Sequence, residues 1–128
     1  MEDVIEVDDG TWESAIERDN KPAAVMFYSP TCAYCAQIEP YFAELAKELG
    51  DKVVFAKLNI TTSTYTAGRY GVMSTPTFKF FCSGRPVREL VGAVYPPLLK
   101  KTLEEVLEHG EECVKKSTKV EYGMTGYA

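Results

Sequence analysis

The sequence predicts one α/β domain, a mixed five-stranded sheet with helices on both faces. Three observations predict it. Short apolar runs of strand length alternate with stretches of helical period through the first half of the chain. A hairpin pattern then replaces the alternation, and one more amphipathic helix closes the fold. The length, 128 residues, suits a single domain able to bury well over half of its unfolded surface. The domain is expected to occupy residues 1–110, with 111–128 as a polar C-terminal extension, loosely ordered from 117 onward.

Each element has its own local signature. Val4-Ile5-Glu6-Val7 reads as a short, edge-like strand. Asp8-Asp9-Gly10-Thr11 supplies capping oxygens, and Trp12, Ala15 and Ile16 recur at helical spacing until Lys21-Pro22 breaks the pattern. Ala23 to Tyr28 is an uninterrupted apolar run, the mark of a strand covered on both faces. After Ser29-Pro30-Thr31, the residues Ile38, Tyr41, Phe42, Leu45 and Leu49 trace one face of a long helix that Gly50 ends. Val53 to Asn59 is a second central strand, and Thr61 to Arg69 carries a modest helical signal closed by Tyr70-Gly71. Thr77 to Cys82 and Val87 to Val91 flank the turn residues Ser83-Gly84 as an antiparallel pair. Pro96-Pro97 starts the last helix, whose apolar face is Leu99, Leu103, Val106 and Leu107.

Composition removes several function classes. Nine Gly and seven Pro are too few for a collagen-like or low-complexity chain, and fifteen aromatic residues argue against disorder. Nineteen acidic against fourteen basic residues leave a net charge of −5, which repels phosphate backbones, so no nucleic-acid partner is expected. No apolar run approaches the ~20 residues of a membrane helix, so no membrane partner is expected. Met1-Glu2-Asp3 lacks the basic and apolar regions of a signal peptide, and the expected setting is cytoplasmic. The eight carboxylates of the first twenty residues read as a solvated face.

Four cysteines remain: Cys32, Cys35, Cys82 and Cys113. They are too few for a disulfide scaffold, and in a reducing compartment a Cys-x-x-Cys spacing points to redox chemistry or metal binding. Cys32-Ala33-Tyr34-Cys35 follows an apolar strand and opens a long helix. The first cysteine then meets the unpaired N–H groups and positive dipole end of that helix, which favour a thiolate. The second sits one turn further in, within reach of a disulfide but more shielded. A Cys₄ metal site would have to recruit Cys82 and Cys113 without a second short knuckle, so no metal is expected. Cys82 shares strand parity with Phe78 and Phe80 and reads as a buried apolar filler, and Cys113 as an exposed thiol, with a bridge between them or a regulatory thiol at either position as the alternatives. His109, the only histidine, reads as a dipole partner near a helix C-terminus.

With these residues in place, the chain resembles the thioredoxin family from about Val4 to His109. Phe27-Tyr28-Ser29-Pro30-Thr31-Cys32-Ala33-Tyr34-Cys35 is similar to the family's active-site segment, and Pro40 falls where the family's long helix carries a proline. Lys57-Leu58-Asn59 matches the end of its third strand. Tyr70-Gly71-Val72 with Thr75-Pro76-Thr77-Phe78 resembles the segment bearing its cis-proline, and Gly84 and Gly92 fall at its hairpin turn and at the approach to its last helix. The resemblance implies a thioredoxin fold and a thiol–disulfide oxidoreductase that reduces protein disulfides without a cofactor. Cys32 would be the nucleophile, Cys35 the resolving thiol, and an upstream disulfide reductase the electron source. Tyr28, Thr31, Tyr34, Thr75, Pro76 and Gly92 would meet the substrate, Lys57 would either tune the cysteine pair or snorkel to the end of its strand, and the protein would act as a monomer.

Departures from the family pattern qualify that reading. Ala33-Tyr34 replaces the usual Gly-Pro spacer, and Tyr34 is more like a glutaredoxin spacer, so a glutathione-linked role is the alternative enzyme. A non-catalytic interaction module built on the Thr75-Pro76 groove is the alternative from another class. Tyr28 and Thr31 replace two tryptophans. Met26 stands where the family has a buried carboxylate that helps deprotonate the resolving cysteine, so Cys35 needs another proton acceptor and Lys57 loses its usual partner. Met26→Asp is therefore expected to move the pH–rate profile of single-turnover disulfide reduction; an unchanged profile would refute this.

Overall fold

The computed structural model describes residues 3–18 and 20–108. His109, Cys113 and the 111–128 extension, with the expectations placed on them, lie outside the described residues. In chain order the elements are β1 (Val4–Val7), a helical turn (Glu13–Glu17), β2 (Ala23–Tyr28), α1 (Ala33–Leu49), β3 (Val54–Asn59), α2 (Thr64–Arg69), β4 (Thr77–Cys82), β5 (Arg85–Val91) and α3 (Pro96–Glu108). The sheet order is β1-β3-β2-β4-β5. β1, β3 and β2 run parallel, and β4 and β5 are antiparallel to their neighbours. This is the mixed five-stranded sheet the sequence predicts. Among the described residues, no helix is long and apolar enough to cross a membrane.

β2 lies at the centre, and its two-residue period divides the core. Ala24 and Met26 face one side, where Ile38, Phe42 and Leu45 of α1 and Leu99 and Leu103 of α3 meet Phe55, Phe78 and Phe80. Ala23, Val25 and Phe27 face the other, beneath Trp12 and Ile16 with Leu58 and Phe81. Helices therefore cover both faces, which is why β2 and β4 are apolar runs rather than alternating ones. Thr77 and Lys79 are the polar exceptions on β4: the Thr77 hydroxyl donates to Ser74 O at 2.9 Å, and the Lys79 side chain is 9% exposed and ion-paired with Glu89, its register partner on β5.

Three local details differ from the sequence reading. The segment after Asp8 is a short helical stretch rather than a regular α-helix: the Trp12 N–H donates to Asp8 O at 2.9 Å and the Ala15 N–H to Thr11 O at 3.0 Å, and the helix then widens over Glu13–Glu17, closed by the Arg18 N–H donating to Glu13 O at 2.9 Å. Asp8 begins it, accepting from the Gly10 and Thr11 N–H groups at 2.9 Å each. Asp9 acts elsewhere: its carboxylate accepts from the Thr66 N–H at 2.9 Å and the Thr66 hydroxyl at 2.7 Å, supplying α2 with a cap that Ser63 does not provide. Those hydrogen bonds hold the Asp9 carboxyl below its usual range. Finally, Cys82 is fully buried, as its strand parity predicts, but it is disulfide-bonded rather than a free thiol.

The β4–β5 turn is set by backbone conformation. Ser83 and Gly84 both have positive φ, 52° and 80°, as a two-residue hairpin turn requires. A Cβ on Gly84 would lie 2.5 Å from the Glu17 carbonyl oxygen, so glycine also allows the hairpin tip to press against the Glu13–Glu17 turn.

The α1–sheet contact carries the site described below, and Phe42 is its centre. Its ring lies 5.3 Å from Phe55 and 5.6 Å from Phe78 by centroid, and the residue is buried. Phe42→Ala is expected to destabilise the fold by about 3–5 kcal/mol. Urea unfolding followed by the fluorescence of Trp12, the single tryptophan, measures it.

Candidate active site

β2 ends at Tyr28, and the chain turns once before α1, with the Cys32 N–H donating to Ser29 O at 3.1 Å. Cys32 is the residue that caps α1. Its backbone is extended (φ −87°, ψ 115°), and its Sγ accepts the Cys35 N–H at 3.2 Å. Ser, Thr, Asp and Asn oxygens usually fill this position. Placing sulfur there puts the thiol against the orphan N–H groups and positive dipole end of a 17-residue helix. Cys35 is buried one turn further in, and Cys32 is half-buried. Both are free thiols.

The same two positions pull the thiols apart in acidity. Burial opposes ionisation of Cys32, but hydrogen bonds from the Cys35 thiol, the Thr75 side chain and the backbone N–H groups of Cys35 and Tyr34 together hold it below its ordinary value. Burial pushes Cys35 up to about 11, and its thiol's hydrogen bond to Cys32 adds to this. Backbone and side-chain hydrogen bonds from Ser29 and Thr75 only partly offset the rise. One proton is thus kept on Cys35 while Cys32 loses its own.

The Thr75-Pro76 peptide is cis. The Thr75 side chain favours the ionised form of both Cys32 and Cys35. Pro76 is anchored from behind, because the Gly92 N–H donates to its carbonyl at 2.8 Å. Gly92 holds φ at +89°, a left-handed conformation that β-branched or bulky residues avoid. Tyr34 is 56% exposed on the first turn of α1. Thr31 is exposed, with Oγ1 3.2 Å from Ser29 Oγ. Cys32, Cys35, Thr75, Pro76 and Gly92 are therefore joined by contacts, with Tyr34 at their edge.

Tyr28 and Lys57 belong to a second cluster. The Tyr28 hydroxyl donates to Glu6 Oε2 at 2.7 Å, and Lys57 Nζ lies 5.5 Å from the centre of the Tyr28 ring. Lys57 Nζ donates to Glu39 Oε2 at 2.8 Å and is 3.9 Å from Glu6 Oε1. Burial, the Glu6 bond and the nearby charges of Glu6 and Glu39 push Tyr28 well above the usual phenol range, so it stays protonated. Met26 is the register partner of Lys57 and packs wholly in the apolar core. The carboxylate beside Lys57 comes instead from α1. The sequence reading missed Glu39, although it stands four residues after Cys35, a spacing that puts both on one helix face.

The family model for thioredoxin matches residues 3–105. The chain is 37% identical over 102 residues to the chloroplastic M-type thioredoxin of Brassica napus, covering 80% of this chain and 58% of that protein. It is 37% identical over 100 residues to the thioredoxin of Alicyclobacillus acidocaldarius, covering 78% and 94%. With the thioredoxin of Mycobacterium bovis it shares 33% over 103 residues, covering 80% and 89%. The chain spans somewhat more than half the length of the chloroplastic relatives it matches and most of the bacterial ones. It belongs to the thioredoxin family.

Thiol titration of the reduced protein, followed by thiolate absorbance, should show Cys32 ionising first, below the ordinary thiol value, and Cys35 only near 11. Thr75→Val removes a hydrogen bond that lowers both values, so both steps should move to higher pH. Unmoved steps would show that the hydroxyl does not act on the sulfurs.

Proposed function

We propose that this chain reduces protein disulfides by dithiol exchange through Cys32 and Cys35. The observation that carries the reading is the Cys32 sulfur held as the cap of α1, with a buried, protonated Cys35 one turn behind it. The Cys32 thiolate attacks one sulfur of a client disulfide, forming a mixed disulfide and releasing the other sulfur as a thiolate. Cys35 then loses its proton and attacks Cys32 Sγ. The second client thiolate departs, and the two cysteines are left as a disulfide. A dithiol donor, an upstream disulfide reductase, returns two electrons and restores the pair. No cofactor resides in the chain in this scheme.

The remaining residues take roles that their placement supports. Thr75 and Pro76 face the sulfurs and receive the client chain beside them, and Gly92 holds that segment from behind. Tyr34 and Thr31 form the exposed rim. Tyr28 contributes its ring rather than its hydroxyl, which is bonded to Glu6. Lys57 tunes the pair's ionisation from its position beside Tyr28 and Glu39. The working unit is a monomeric domain of residues 1–110 carrying the 111–128 extension. A cytoplasmic, reducing setting is the natural one, because a dithiol reoxidised at every turnover needs a thiol supply. The glutathione-linked alternative rests on Tyr34 alone, whereas the family match runs through residues 3–105.

Turnover tests the reading. Protein disulfides should be reduced at the expense of dithiothreitol, and Cys32→Ser should abolish the reaction. Cys35→Ser should stop it at the mixed disulfide and accumulate a covalent client adduct. Turnover with glutathione only would favour the glutaredoxin-like role. Partner binding that survives both substitutions, without turnover, would favour an interaction module.

A further inference from the structure

Cys82 is fully buried at the end of β4 and disulfide-bonded. The chain has four cysteines, and Cys32 and Cys35 are free thiols. Within one chain, that leaves Cys113 as its partner. The fold brings the neighbourhoods of both residues to one end of the sheet. The Gly92 N–H donates to the Pro76 carbonyl, so β5 finishes where β4 starts, and α3 begins nearby at Pro96. α3 then runs ~20 Å along β4, a strand of about the same length. Two contacts fix its direction. Arg88, the register partner of Phe80, pairs with Glu105 at 2.8 Å, and Val106 packs in the cluster that holds Phe80. Glu108 and Cys82 therefore lie toward the same end, and strand alternation puts Cys82 on the α3 face with Phe78 and Phe80. The five residues from Glu108 to Cys113 span up to ~17 Å when extended, ample to close the bridge.

We infer that Cys82 is bridged to Cys113, and that this bridge is a lasting staple of α3 rather than a second exchanging pair. Two exchange steps with a small-molecule disulfide close it. The Cys113 thiolate attacks one sulfur of that disulfide and releases the other as a thiolate; the Cys82 thiolate then attacks the Cys113 sulfur and releases the second. The small molecule leaves as two thiols, carrying off the two electrons and two protons. Burial then protects the product. No incoming thiolate reaches the covered Cys82 sulfur. Attack on the Cys113 sulfur would expel a Cys82 thiolate into the apolar face shared with Phe78 and Phe80, where a lone anion is strongly disfavoured. Both routes of reduction are closed while the domain stays folded, so the bridge persists among thiols that cycle Cys32 and Cys35. Its position gives it a mechanical role. α3 buries Leu99 and Leu103 in the same cluster as Ile38 and Phe42 of α1, and a cross-link past its end holds it on the sheet.

Thiol mapping of the full folded chain tests this. The chain is treated with dithiothreitol, its free thiols are blocked with iodoacetamide, and it is then unfolded in urea, digested and read by mass spectrometry. Cys32 and Cys35 should carry the label, while Cys82 and Cys113 should remain joined in one cross-linked fragment. Dithiothreitol added in urea should part that fragment. Cys82 recovered labelled from the folded chain, or joined to Cys32, to Cys35 or to a second chain, overturns the inference. Cys113→Ser should lower Tm by about 10 °C, the loss of a cross-link that closes a loop of about thirty residues. Well below that Tm, its rate of client disulfide reduction should match that of the natural chain. An unchanged Tm overturns the stapling role, and an altered rate overturns the separation of the two pairs. Dithiothreitol supplies the electrons in the mapping, so its outcome stands whether or not the chain reduces client proteins.

Discussion

The hydrogen bond from the Cys35 N–H to the Cys32 sulfur is the constraint on which the site depends. It exists only because α1 begins at that residue. Helix starts are marginal, and here no oxygen-bearing side chain occupies the cap. The helix is held in place by what it buries further along: Ile38, Phe42, Leu45 and Ala46 lie against β2, β3 and β4. The acidity of Cys32 is thus linked to the aromatic packing around Phe42, more than two turns away. A loosened core would weaken the cap before it disturbed the thiol itself.

The second dependence runs through the Thr75-Pro76 segment. The Pro76 carbonyl is tied to Gly92 after β5, and the Thr75 side chain favours ionisation of both thiols. Thr75 shifts the two thiols in the same direction, and what separates their acidities is the hydrogen bond between them, which lowers Cys32 and raises Cys35. Each of Cys32 and Cys35 is shifted by the other and by Thr75, so neither thiol can be altered without moving its neighbour.

Charge is placed differently from the family pattern without being lost. Met26 makes that point of β2 wholly apolar and extends the core around Phe42 and Phe78. Lys57, its register partner, pairs with Glu39 of α1 and lies near Glu6 of β1. The carboxylate has moved from a buried strand to a half-exposed helix face, where water screens it and its pairing contributes little to stability. The consequence lies in where charge can meet Cys35, since Glu39 shares its helix face.

Much of this was determined by the sequence alone, because it depends on local spacing. The apolar run of β2, the Cys32–Cys35 step at a helix start, the turn residues Ser83-Gly84 and the period of α1 are one-dimensional patterns with single structural solutions. Other features needed the folded chain. Nothing local says that Asp9 caps a helix more than fifty residues away, that Lys57 pairs with Glu39, or that the Thr75 side chain acts on both thiols. The breadth of the Glu13–Glu17 turn is set by packing, and the bonded state of Cys82 cannot be read from strand parity. Tyr41 and Tyr95 read as one helix position and one loop position until the fold sets them across a common cleft. Spacing along a chain prescribes which residues share a face; only the closing of the sheet decides which faces meet.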